Sequence, residues 1–386
     1  MSATTTVDIR LANLLLILHE LRERTTLSRS DLARATGLAV PTVHRLVSEL
    51  TAAGLVLQDE PAADESRLGR PPAVYRFHGE AGILAGLDVG NQNTRVSLAS
   101  LSGATLAARS LPTAEIENDL PGALSELVRS LLTEAGAGEG RLAGVGVGVA
   151  AAVDPATGTL RDPPRHRKWH GLALAAELTG RLDCGVTVCQ DDHLAAVAEA
   201  SAHGTVPGAG SVVVLAVGFG IGVGVALDSA PIAGLTGRFG RIAGWPVTAP
   251  RGVRLPGRTL GDCLGSPGLV TQYFSRGGTG AVDDGKSLFD AARSGDPVAR
   301  TVVAWAAREI AGVARALHTI FDEEGFVLGG GLAEGFDVLE RDLLRHTEEF
   351  GLVIRPSVLG DQAVLTGALL AANSSVEPWL QARLTH

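Results

Sequence analysis

Two aspartates and two glycine-rich turns hold the residue types in this chain that could do chemistry. Asp88 ends an apolar run and leads into Gly90-Asn91-Gln92-Asn93-Thr94; residues 212–227, VVVLAVGFGIGVGVAL, repeat the pattern with Gly218-Phe219-Gly220 at the turn. Tight glycine turns leave backbone N–H groups open to anions, because no Cβ blocks close approach. Two of them facing across a cleft would cradle a polyphosphate, and the repetition points to two related halves. Asp191, in Gln190-Asp191-Asp192-His193, has the chemistry of a general base. It equally suits a helix N-cap, accepting from backbone N–H groups. A different chemistry occupies the N-terminal end. Thr42, His44 and Arg45, with Ser48 one turn on, suit contact with base edges, and Arg67 and Arg70 on a Gly/Pro frame suit a narrow minor groove.

Those residues need elements to hold them. Residues 9–22 place Ile9, Leu11, Leu14, Leu15, Leu18 and Leu21 on one helical face. Ser28 reads as an N-cap with Asp31 three residues on, so a short helix runs from Arg29 to Thr36 and stops at Gly37. A second helix starts near Pro41 and ends before Gly54, with Val43, Leu46 and Leu50 inward. Helix, glycine turn and helix in this order predict a helix-turn-helix whose second helix lies in the major groove. Ser28 and Arg29, at the start of the first of the two, join the candidate DNA-contacting set. Residues 55–57 and 74–77 read as two strands flanking a polar loop, a wing. Beyond residue 80, strands at 82–100, 143–149, 186–188, 212–227, 326–328 and near Ser357 alternate with helices at 120–135, 191–199, 298–320, 338–350 and from about Val364. That alternation implies α/β layers. The stretch up to Gly285 reads as loop.

Composition sets the limits. Apolar residues make up 45% of 386, without a run long enough to span a bilayer, and no signal-peptide pattern opens the chain. Three scattered cysteines form neither a disulfide framework nor a metal-finger spacing, and the expected location is cytoplasmic, away from membranes. Net charge is −9; residues 1–80 hold nine arginines against ten acidic residues, so a polyanion must be met by a local patch rather than a basic domain.

With these motifs in place the whole chain resembles the ROK family, which groups sugar-responsive repressors and sugar kinases on an actin-like (sugar-kinase/ribonuclease H-like) fold. The motifs that match are Leu87-Asp88-Val89-Gly90 and Gly218-Phe219-Gly220-Ile221-Gly222, like its two phosphate segments, and Leu328-Gly329-Gly330-Gly331, like its adenosine segment. The segment from Gly146 to Asp154 resembles its second strand and loop, and Asp191 with Glu199 eight residues later resembles the stretch holding the kinases' catalytic base. The resemblance implies an N-terminal winged helix-turn-helix at 1–80, a first lobe at 81–202 with a C-terminal helix at 363–386, and a second lobe at 203–362. It places Asp88, Gly90, Gln92, Gly220, Gly222 and Gly330 at a vestigial nucleotide site, and Ala151, Gln190, Asp191 and Arg241 at an effector site.

Departures from the family pattern shape the functional expectation. Asn91-Gln92 replaces Gly-Thr, Ala150-Ala151 replaces Pro-Gly, and Gln190 replaces the asparagine before Asp191. Arg241 stands where the family has a sugar-contacting glutamate, and Gly244 where it has a zinc-binding histidine; of its three zinc cysteines only Cys263 is present. No zinc is therefore expected. Arg241 would pair with Asp191, await an anion, or turn to solvent. The expectation is a DNA-binding regulator, a repressor, whose degenerate kinase module senses a sugar or sugar derivative and assembles a homodimer or dimer of dimers on a palindromic double-stranded operator. The alternative is an ATP-dependent sugar kinase that also binds DNA.

Overall fold

The computed structural model describes residues 6–59, 73–202, 210–248 and 255–384. The N-terminal unit runs α1 (Thr6–Glu23), β1 (Leu27–Ser28), α2 (Arg29–Thr36), α3 (Val40–Ala52), β2 (Val56–Asp59) and β3 (Val74–Phe77), with the strands in an antiparallel sheet ordered β1–β3–β2. Helices followed by the antiparallel pair β2 and β3 make the frame of a winged helix-turn-helix. Its core takes Leu14, Ile17, Leu18 and Leu21 from α1. Ile9 is 52% exposed instead of inward. It stands five residues before Leu14, which is about 140° round a helix, so it falls off the buried stripe. The wing tip, with Arg67 and Arg70, lies outside the described residues.

The rest forms two lobes that repeat one topology. The first contains β4 (Ile83–Val89), β5 (Asn93–Ser100), β6 (Thr105–Pro112), α4 (Leu120–Glu134), β7 (Leu142–Val149), the small pair β8 (Ala152–Val153) and β9 (Leu160–Arg161), α5 (Leu174–Leu182), β10 (Gly185–Gln190) and α6 (Asp191–Ala202). The second contains β11 (Ser211–Val217), β12 (Ile221–Leu227), β13 (Ala230–Pro231), α7 (Leu260–Leu264), α8 (Ser266–Ser275), α9 (Gly285–Arg293), α10 (Pro297–Phe321), β14 (Gly325–Gly329), α11 (Phe336–Thr347) and β15 (Val353–Pro356). Two helices, α12 (Ala363–Ser374) and α13 (Glu377–Leu384), follow. The sheets are ordered β10–β7–β4–β5–β6 and β15–β14–β11–β12–β13, the same arrangement twice, with each glycine hairpin at its centre. Helices α7 and α8 occupy the stretch that reads as loop. Both are short, and their capping residues sit among glycines and prolines that mask the helical period.

Two helices cross between the sheets. Helix α12 lies on the first sheet so closely that a Cβ at Gly146 would sit 1.9 Å from the Ala368 carbonyl oxygen. Helix α6 lies on the second sheet, where Cβ atoms at Gly222 and Gly224 would meet Asp192 at 1.8 Å. The two helices touch at Gly367, where a Cβ would stand 2.1 Å from the Leu194 carbonyl oxygen. Helix α6, which chain order groups with the first lobe, thus shares its core with Val212, Val214 and Ala226 of the second. The C-terminal helix also divides. The chain turns at Ser375, and Trp379 and Leu380 of α13 enter the core of the N-terminal unit beside Leu14, Leu18 and Leu84. The Trp379 indole N–H donates to the Gly140 carbonyl at 3.1 Å, tying that joint to the first lobe.

Candidate DNA interface and ligand cleft

The reading helix is built from its caps outward. Ser28 Oγ accepts from the Asp31 N–H at 3.2 Å and donates to Asp31 Oδ2 at 2.6 Å, while the Ser28 N–H reaches Asp31 Oδ2 at 3.4 Å. This reciprocal cap holds the Asp31 carboxyl below its ordinary range, chiefly through the Ser28 hydroxyl. Gly37, at φ 71°, ends α2 in the left-handed region, and Pro41 occupies the first turn of α3. Val43, Leu46, Val47 and Leu50 are buried. That leaves His44, Arg45 and Ser48 exposed and Thr42 half-buried on the opposite face. Ser48 Oγ donates to the His44 carbonyl at 2.9 Å, whereas Arg45 has no ion-pair partner among the described residues. The remaining two members of the expected set differ. Ser28 is 5% exposed and committed to the cap, so it has no free side chain for DNA. Arg29 lays its guanidinium over the Tyr75 ring at 5.0 Å instead of projecting outward. Sequence reasoning passed over Val40, which is 54% exposed at the leading end of α3; an apolar residue there reads as core until the turn geometry is known.

Four acidic or amide side chains meet where α6 starts. Asp88 ends β4 opposite Arg95 and Gly148, and Gln190 ends β10. Asp191 and Asp192 open α6; Asp191 Oδ1 accepts from the Asp192 N–H at 3.0 Å, and the Gln190 amide donates to Asp192 Oδ2 at 3.2 Å. Burial pushes the Asp88 carboxyl up to about 6, with Arg95 opposing and Asp361 adding to the shift. Asp191 is pushed well above the carboxylate range by burial and by the charges of Asp192 and Asp88. Asp192 rises to about 6 from 3.8, again by burial, against the Gln190 amide and Arg241. A carboxyl whose folded pKa exceeds its unfolded value binds its proton more tightly when folded. Stability from these groups is therefore greatest below pH about 4 and falls as pH rises to about 6. Asp192→Asn should make the protein more stable than wild type at pH 7.5, with the difference shrinking toward pH 4. Thermal unfolding at the two pH values checks this, and equal shifts at both would contradict it.

The glycine turns are tight and partly occupied. In the first, the Gly90 N–H donates to Asn93 O at 3.1 Å, Thr113 Oγ1 donates to Gly90 O at 2.9 Å, and Gln92 is exposed. In the second, the Gly218 N–H is spent on Gly220 O at 2.9 Å, and the Phe219 ring lies under the Arg165 guanidinium at 4.8 Å. Gly220 has open space around it, while Gly222 is covered by Asp192. Gly330, at φ 73°, packs on the Val217 carbonyl beside the same turn. Three expectations about the effector site need correction. Ala151 is fully buried in the first-lobe core, so its methyl group does not line the cleft. Arg241 neither pairs with Asp191 nor turns to solvent: it is half-buried and donates to the Asp162 carbonyl at 3.1 Å. It is not waiting for an anion alone either, because Asp162 already sits there, its carboxylate held by Arg238 Nε at 2.7 Å. The loop carrying Arg238 and Arg241 presses on the first lobe so closely that a Cβ at Gly237 would stand 1.7 Å from Val153 O. The loop is thus a latch between the two lobes, and no sequence pattern announces it.

The residues do not fit the zinc ion that the resemblance brings with it. Gly244 supplies no ligand atom, and Cys263 is buried with its Sγ turned to the Gly257 carbonyl at 3.5 Å. Burial also raises the Cys263 thiol above its ordinary range, which disfavours the thiolate zinc needs. Elemental analysis of purified protein should find well under one zinc per chain, and chelation should leave folding and DNA binding unchanged. About one zinc per chain would overturn this reading.

A winged helix-turn-helix joined to a two-lobed, sugar-kinase-like module defines the class, a transcriptional regulator. The chain belongs to the ROK family, whose model matches residues 84–374, and the IclR helix-turn-helix domain model matches residues 10–60. It is 28% identical to a glucokinase of Thermotoga maritima over 74% of this chain and 93% of that protein. It is 23% identical to a xylose repressor of Caldicellulosiruptor bescii over 92% of this chain and 94% of that one. A crystal structure of a ROK family transcriptional regulator, a homolog of the E. coli MLC protein, superposes with a TM-score of 0.79 at 20% identity, covering 97% of this chain and 99% of the other. Among the described residues no helix is long and apolar enough to cross a membrane.

Proposed function

We propose that the chain is a repressor that binds a palindromic double-stranded operator as a dimer or dimer of dimers, with the kinase-like module sensing a sugar or sugar derivative rather than phosphorylating it. The observation that carries this is the exposed face of α3, where Arg45, beside His44 and Ser48, has no ion-pair partner among the described residues. It is supported by similarity to a xylose repressor along 92% of the chain, whereas the glucokinase covers 74%. Val40 joins Thr42, His44, Arg45 and Ser48 as a base-edge contact, its methyl groups suiting thymine. Arg67 and Arg70 are assigned to the minor groove beside them. The effector contacts are assigned to Gln190 and Asp191, with Arg241 acting through the latch. Against phosphoryl transfer stand Asn91 and Phe219 in the turns and the loss of sugar-positioning groups at Gly244 and Arg241; misplacement by about 1 Å costs roughly a hundredfold in rate. Asp191 itself argues the other way, since a raised pKa suits a base working near neutrality.

Two measurements test this reading. Footprinting on selected operator fragments should show two related half-sites about 10 bp, or a multiple, apart. A single unrepeated half-site would refute the dimeric operator. A coupled ADP-release assay over a hexose panel should show no turnover; clear turnover would establish a kinase that also binds DNA.

A further inference from the structure

We infer that the cleft floor recognises an ammonium group, so that the effector is an amine-bearing sugar with its nitrogen free, not a neutral sugar or its N-acetyl derivative. This rests on the reading of the cleft as an effector site, and it adds the chemical class of the ligand.

The argument starts from one orphan atom. Gln190 is 3% exposed, and its Oε1 is buried without a hydrogen-bond donor. Its amide nitrogen donates to Asp192 Oδ2 at 3.2 Å, which holds the amide, and with it the orphan oxygen, next to Asp192. A buried acceptor without a donor costs about 1–3 kcal/mol, so the site asks for a group that donates. What surrounds it selects the kind of donor. Asp88, Asp191 and Asp192 gather here, and the nearby cations are engaged elsewhere. Arg95 pairs with Asp361 at 3.1 Å, and Arg241 donates to the Asp162 carbonyl. Burial holds the three carboxyls above their ordinary range, with Arg95 opposing at Asp88 and Arg241 opposing at Asp191 and Asp192. Among the described residues no three acidic, histidine or cysteine side chains converge closely enough to hold a metal ion. An ammonium suits this donor-poor, acid-rich group: it carries three donors on one cationic centre, enough for Gln190 Oε1 and two carboxylates. A hydroxyl would satisfy the amide oxygen but leave the carboxylates uncompensated. An N-acetyl group removes the charge and leaves one donor.

The test uses the full chain and a set of probes. Glucosamine, galactosamine and mannosamine are each compared with the parent hexose and the N-acetyl derivative, by thermal shift and by release of operator DNA in fluorescence anisotropy at pH 7. At least one hexosamine should act at a concentration ten or more times lower than its parent hexose and its N-acetyl derivative. Asp192→Asn should bring that hexosamine to the level of the hexose, and Gln190→Leu should weaken it by about tenfold while leaving operator binding intact. If a hexose or N-acetyl sugar acts as well as its amine, or if Asp192→Asn leaves the preference unchanged, the ammonium site is wrong and the effector cleft stands. If no sugar acts on a protein that still binds its operator, both the ammonium site and the effector cleft fall, and the DNA-reading assignment survives.

Discussion

Arg45→Ala should weaken binding by about 1–3 kcal/mol per half-site, roughly five- to 150-fold, and relax specificity at one base pair of each half-site. The size follows from what Arg45 does not do in the free protein. Its neighbours on the reader are engaged: Arg10 pairs with Glu49, Arg34 with Asp31, and Arg29 stacks on Tyr75. Arg45 is exposed on α3 without an ion-pair partner among the described residues, so its removal breaks nothing in the fold. Thermal unfolding should therefore be unchanged while affinity falls. In a dimer the loss occurs once per half-site, so the operator as a whole loses up to twice the figure for one. Equal loss on every sequence, with a smaller salt slope, would show instead that Arg45 contacts phosphate.

Gly146→Val should destabilise the module by about 3 kcal/mol or more, among the larger effects a single substitution produces. The neighbour that a Cβ would strike is the backbone of α12, whose Ala368 carbonyl oxygen is 1.9 Å from the position it would take. A flexible side chain would move aside, but a helix backbone that also lies on Gly144 and, at its own Gly367, packs on the Leu194 carbonyl of α6 cannot. Helix α12 must then lift from the first sheet, and with it the crossing onto α6. Denaturation should show the midpoint falling by several degrees, and soluble yield should drop. A variant as stable as wild type would mean that α12 rides on the sheet less tightly than the contact implies.

The local chemistry was legible in the sequence wherever it depends on neighbours in the chain. Ser28, Asp31 and Gly37 fix the bounds of α2, and the strand from Val74 to Phe77 falls where the alternation places it. The doubling of the glycine hairpin announces two lobes of one topology, which the sheet orders reproduce. What stayed hidden depends on packing between distant segments. Nothing near residue 241 says that its guanidinium will find the Asp162 carbonyl, 79 residues away. Nothing near residue 151 says that its methyl group turns inward, since a small residue after a strand fits either side of the chain. Gln190 reads as a conservative change from asparagine, and only its burial beside Asp192 shows the oxygen without a donor.

The placement of Trp379 and Leu380 has a consequence for how such proteins are taken apart and recombined. The DNA-reading unit is not a cassette that ends where its last strand ends. Its hydrophobic interior is completed by α13, some 300 residues downstream, so two segments far apart in the chain are folded into one object. A chimera that transplants residues 1–80 alone would carry an open wound where α13 had been. Whoever exchanges the reader of this chain must move residues 1–80 and α13 together.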